Sequence, residues 1–212
     1  MSEPEQRGVA SELLSRSRLT LFFVVLLVEF AIFFAGLLTP ISVSTQQTLA
    51  NQTNTQFAPI NSSTPVQLVV FIFSHNLPIA LAEMIPVLGA LLFVFSVYST
   101  GLVAQALAVS QGLPAQWGAL IIAFPYTSVE LSAYAVAVGA GGMLVVAWRR
   151  KRLRREVEVF VLESLLITAI LLVAAAMEMT TIRVSLLFGF ALWLPTGLVL
   201  ATIVMKSWRR KA

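Results

Sequence analysis

Residues 19–38 read LTLFFVVLLVEFAIFFAGLL, an apolar run whose only charged member is Glu29. At about 1.5 Å per residue a helix of that length covers roughly 30 Å, the thickness of a bilayer's hydrocarbon core, and it is too long for the core of a signal peptide. The run therefore reads as a membrane span. Composition agrees: the chain is 58% hydrophobic and 11% charged, against about 25% charged in an ordinary soluble domain. At 212 residues there is room for a single bundle of about six spans.

Outward from residues 19–38, the apolar stretches divide by length and by proline. Leu68–Val109 is about twice one span and turns near Pro86, giving spans at 68–85 and 87–109. Leu113–Trp148 is too long for one helix and short for two; Pro125 breaks it into a short outer helix, Leu113–Phe124, anchored by Trp117, and a span at 128–147. Spans at 157–176 and 184–205 follow, the last kinked by Pro195. The expected fold class is an all-α polytopic bundle of about six spans with a short broken or interfacial helix before the fourth. Residues 1–18 are the N-terminal segment, 19–205 one transmembrane domain and 206–212 the tail.

Orientation follows from charge. With both termini in the cytoplasm, Arg7, Arg16, Arg18, the run Arg149, Arg150, Lys151, Arg152, Arg154, Arg155 inside loop 148–156, and the tail's Lys206, Arg209, Arg210 and Lys211 all lie inside. Only Arg183 lies outside, a strong positive-inside bias. The expected location is the plasma membrane, with the basic run against anionic lipid headgroups. That topology puts 39–67 outside as a charge-free polar loop, which should be the mobile part of the chain because it buries little apolar surface. Its Asn51-Gln-Thr and Asn61-Ser-Ser are N-glycosylation sequons, which would suit a eukaryotic or archaeal host.

Ionisable residues at membrane depth are expensive and mark candidate sites. Glu29 lies near the midplane of its span; His75 and Asn76 reach nearly the same depth, and a Glu–His contact there would share one proton. Asn76, Ala80 and Glu83 fall on one helix face, Ser96, Thr100, Ala104 and Ala108 on another, and Glu130, Ala133, Ala137 and Gly141 on a third. Small residues every fourth position let helices approach closely. Glu130, one turn below the break at Pro125, is expected to latch onto Asn76 or Thr100, with Tyr126 and Thr127 satisfying backbone groups at the turn. Glu163 reads as structural, near the basic run.

Three segments resemble the stage II sporulation protein M family of integral membrane proteins: FIFSHNLPIALAEMIPVLGALLFVF (71–95), YSTGLVAQALA (98–108) and FPYTSVELSAYAVAVGAGG (124–142). In the last, Pro125, Glu130 and Leu131 match the family's pattern, while Tyr126 and Thr127 stand where it has His-Gly; Thr100 replaces the Asn that commonly precedes Gly101. The resemblance implies a non-enzymatic membrane scaffold or assembly factor. The residues alone also allow a small channel, transporter or lipid-handling protein built on Glu29, His75, Asn76 and Glu130. With one His, no Cys and every acid a Glu, the chain lacks ligands and bases for a metal site or nucleophile triad, so no enzyme activity, metal or cofactor is expected. Expected partners are membrane lipids, other membrane proteins or a second copy of the chain. Nucleic acid is not among them, since the basic run has no folded soluble module around it.

Overall fold

Each long apolar run forms a helix. In the computed structural model, which describes residues 12–58, 62–198 and 202, the elements are α1 (Arg16–Leu38), α2 (Val43–Phe57), α3 (Pro65–Glu83), α4 (Leu88–Ser110), a 3-10 helix (Ala115–Ala123), α5 (Pro125–Arg149), α6 (Leu153–Arg183) and α7 (Leu186–Ala191). The described residues contain no strand. Five helices, α1, α3, α4, α5 and α6, are long and apolar enough to cross a membrane, as an all-α membrane bundle requires. Helix α5 packs along α6 and α1 along α4; α1 also meets α5, and α3 leans on α6. The loop carrying Arg149–Arg152 lies at the basic end of the bundle; the Pro65 and Pro125 ends lie opposite, at the far end.

The expected sixth span at 184–205 is not one continuous helix. Helix α7 stops at Ala191, the chain turns at Leu192, and helix resumes over 193–198. The cause is Pro195, which lacks the N–H that would bond the Ala191 carbonyl and whose ring crowds that group. The remainder of that span, the tail 206–212 and residues 1–11 lie outside the described residues.

A second difference concerns 39–67. Most of that segment is the helix α2, packed on α4. Gln46, Leu49, Ala50, Thr53 and Phe57 recur at helical spacing as its more buried side, and the Ser42 hydroxyl caps it by accepting from the Thr45 N–H (3.2 Å). Thr64 and Gln67 then form a capping box that starts α3, with Pro65 in its first turn. Charge-free composition had suggested a loop, but Gln, Ala and Leu are adequate helix formers and one apolar stripe suffices to dock the helix. Asn51 is exposed on α2, and Asn61 lies outside the described residues.

Two close approaches hold α1 to α4. A methyl on Gly101 would lie 2.2 Å from the Phe33 carbonyl oxygen, and one on Gly36 would lie 2.1 Å from the Tyr98 carbonyl oxygen. Only glycine permits this crossing. Beside it the buried Gln105 amide donates to the carbonyls of Gly36 and Thr39, both at 3.0 Å, and so ties the end of α1, where the Gly36 carbonyl also accepts from the Thr39 N–H, to α4. The seam of α4 consequently runs through Phe93, Val97, Gly101, Ala104 and Ala108. This leaves Thr100 exposed and corrects the expected Ser96–Thr100 stripe.

The α3–α4 turn falls short of the basic end. At the far end the Arg183 guanidinium donates to the Ser63 carbonyl (2.6 Å), so α3 starts level with the end of α6. From there α6 runs 31 residues and α3 only 19, a shortfall of about 18 Å at the helical rise. Independently, a methyl on Gly141 would lie 2.7 Å from the Met84 carbonyl oxygen. Gly141 is itself about 12 Å short of Arg149 along α5. The turn near Pro86 therefore lies short of the ends of α5 and α6, although α3 is itself long enough to cross a membrane. It satisfies its own backbone through Ile85 N–H to Ala82, Leu88 N–H to Pro86 and Gly89 N–H to Ile85. Closing it places Val87 at φ 68°, a costly conformation for a β-branched residue.

Candidate functional site

Helix α1 buries Arg18, Val25, Glu29, Phe33 and Leu37 along one stripe, so the spacing that makes the seam carries Glu29 inward with it. Glu29 is 0% exposed, and neither carboxyl oxygen makes a hydrogen bond within the described structure. Two further carboxyls from different helices lie within its electrostatic range, Glu83 and Glu130. Glu83, at the recessed end of α3, is 1% exposed; it accepts from the Ser96 hydroxyl of α4 at 2.7 Å, and its other oxygen is unpartnered. Glu130 accepts from the Tyr134 hydroxyl one turn along α5, at 3.0 Å.

Tyr134 is the junction of the group. Its buried hydroxyl interacts electrostatically with Glu130, Glu83 and Glu29. Towards the far end, Glu178 of α6 couples to Glu130, and Tyr126 of α5 to both. Four helices thus direct carboxyls into one interior, and no cation among the described residues pairs with any of them. Among the described residues no three His or Glu side chains converge closely enough to hold a metal ion.

A second set of buried charges sits nearer the basic end and is differently arranged. The Arg18 guanidinium donates to Glu163 and to Glu156 on α6, joining α1 to α6 at a place where both acids and the base are largely buried. This accounts for Glu163, which bonds Arg18 rather than the basic run. That run is all exposed, at Arg149, Arg150, Lys151, Arg152, Arg154 and Arg155; Arg155 also pairs with Glu12.

Other expected contacts do not form. His75 is exposed and turns to α2, where its Nδ1 lies 3.5 Å from the Gln56 amide nitrogen and its ring packs edge-on to Phe57. The reason is register: α3 buries Leu68, Ile72, Ala80 and Glu83, and His75 lies about 100° round from the Asn76 position of that stripe. It cannot reach Glu29. Asn76 is half-buried and makes no hydrogen bond with Glu130, and Thr100 bonds back to the Ser96 carbonyl of its own helix (2.9 Å). Glu130 takes Tyr134 instead.

Pro125 is the first residue of α5 and follows the 3-10 helix, as a break there demands. The Ala123 carbonyl at the break is capped by the Trp193 indole N–H (2.8 Å), not by Tyr126 or Thr127. Tyr126 instead stacks on Phe124, which stacks on Phe190. Sequence reasoning missed Tyr134, Glu178 and Ser96 as site members. Glu178 had a readable signal, an acid within the apolar end of a helix that continues to Arg183. No known family model, curated protein or solved structure matches the chain.

Proposed function

We propose that this multi-pass membrane protein passes a small cation or protons through its bundle, using the interior carboxyls of Glu29, Glu83 and Glu130. One observation carries the reading: among the described residues Glu29 is fully buried without a hydrogen bond, beside two other acids and with no cation paired to it. Such a group costs several kcal/mol unless it is protonated or meets a ligand, so a purely structural seam gains nothing from it. Intramembrane acids facing a bundle interior recur on ion and proton routes. The basic end faces the cytoplasm in this reading, with Arg149–Arg155 against anionic headgroups.

Purified protein in proteoliposomes tests the proposal by proton and radiotracer Na+ and Rb+ fluxes under an imposed potential. Flux above empty vesicles that falls at least tenfold in Glu29→Gln supports it; no flux of any of these ions removes it. The scaffold reading has its own support, in the sporulation-family resemblance of residues 71–95, 98–108 and 124–142 and in the fixed glycine crossing of α1 on α4. It requires no transport, and Glu29→Gln would then leave every function unchanged.

A further inference from the structure

We infer that the ion is a proton, relayed from Glu178 through Glu130, Tyr134 and Glu29 to Glu83 at the recessed α3–α4 turn; this rests on the transport reading above. The order follows from helix geometry. Glu178 and Glu130 each lie five residues from the far end of their helices, at Arg183 and Pro125, or about 8 Å in. Glu29 lies 13 residues, about 20 Å, from the Arg16 end of α1. Glu83 lies at the turn, nearest the basic end. Along this file Glu178 is within electrostatic range of Glu130, Glu130 of Glu29, and Glu29 of Glu83, while direct hydrogen bonds join Tyr134 to Glu130 and Ser96 to Glu83.

The same geometry favours a proton over a metal cation. A dehydrated cation needs several oxygens at one point, and no three acidic or His side chains among the described residues meet. A proton needs one acceptor at a time and a donor to bring it. Tyr134 supplies a hydroxyl that donates to Glu130 and lies in range of Glu29 and Glu83. Glu29, with both oxygens unengaged, is the acceptor that no structural bond competes for. Each transfer breaks the O–H bond of one acid or phenol and forms that of the next. A proton taken up at one face is matched by one released at the other, with nothing oxidised or reduced.

The α3–α4 turn is the end of the route nearest the basic loop. Here α3 and α4 end about 12–18 Å short of the ends of α5 and α6, with Ile85, Val87 and Leu88 exposed at the turn. Glu83 is held at that point by Ser96 of α4. The other charges facing this region, Arg18 of α1 with Glu156 and Glu163 of α6, pair with one another, one Glu163 oxygen being left without a hydrogen bond.

The experiment uses the full chain in proteoliposomes enclosing a pH-sensitive dye, with a valinomycin-set potassium potential as driving force and Na+ tracer run in parallel; Rb+ tracer, which valinomycin itself carries, is followed in valinomycin-free vesicles against empty ones. The expected result is potential-driven internal pH change with neither tracer entering. The rate should fall at least tenfold in Glu29→Gln, with partial recovery in Glu29→Asp, and severalfold in Tyr134→Phe. Tracer entry without pH change overturns the inference and leaves the transport reading standing; absence of both overturns both. Proton flux unaltered by Glu29→Gln and by Glu83→Gln overturns the route. Infrared difference spectra on changing pH give a readout that does not depend on flux: a buried carboxylic-acid carbonyl band present in the native chain and missing in folded Glu29→Gln. Its absence from the native chain would also overturn the assignment. If Glu29→Gln does not fold, Glu130→Gln reads the same two signals and Tyr134→Phe reads the flux.

Discussion

Two groups of buried charge lie in one bundle and have been treated in opposite ways. Near the basic end, Arg18 meets Glu156 and Glu163, so each buried charge has an opposite partner from another helix. Deeper in, Glu29 has three acidic or phenolic neighbours and no hydrogen-bond or ion-pair partner among the described residues. The stripe of α1 that buries one buries the other, so burial alone does not separate them; the partner does. A paired set fixes α1 against α6 and can be exchanged only as a unit, whereas an unpaired acid is free to gain or lose a proton or to meet an ion.

The sharpest way to break this comparison is to remove Arg18. Arg18→Met leaves Glu163 buried without its partner and should destabilise the protein by about 3–5 kcal/mol, the usual cost of breaking a buried pair. Adding Glu163→Leu and Glu156→Leu should return most of that loss. Thermal or denaturant unfolding of detergent-purified variants measures both, and an Arg18→Met chain as stable as the parent would make the two groups alike.

Next in size, Gly101→Ala tests whether the α1–α4 crossing is rigid. The added methyl meets backbone atoms of Phe33 and Leu37, which cannot yield as a flexible side chain would. A loss of about 1–3 kcal/mol is expected, and a neutral result would mean that the helices part easily. Gln105→Leu should cost about 1–2 kcal/mol, because the Gly36 and Thr39 carbonyls lose a shared buried donor; the same unfolding measurement reads it.

The smallest effect on stability is the most informative. Glu29→Gln keeps the size of the side chain and trades one buried unpartnered polar group for another, so stability should change by less than about 1 kcal/mol while flux collapses. A loss of several kcal/mol without a change in flux would place Glu29 with Arg18 as a structural charge.

The sequence carried the membrane class for a simple reason: span length and apolar content are local properties, set by bilayer thickness and helix rise. Breaks were legible where proline enforced them, at Pro125 and Pro195. Glu29 and Glu130 were legible as candidates because an acid in an apolar run is conspicuous. Helix α2 was hidden, since its polar composition masks a single docking stripe, although the Ser42 cap marks its start.

By itself, then, the sequence determined that apolar helices of membrane-spanning length form, where prolines interrupt them, and which acids travel inward on their faces. Only the tertiary structure decided which of those acids meet. Depth along a span does not give a helix's rotation or its offset from its neighbours. A one-residue step around α3 sent His75 to α2, and a shortfall of about 18 Å in the same helix recessed the turn that carries Glu83. Rotation and offset are set by packing between helices, through contacts such as Gly36 on Tyr98 and Gly141 on Met84, and those link residues far apart in the chain.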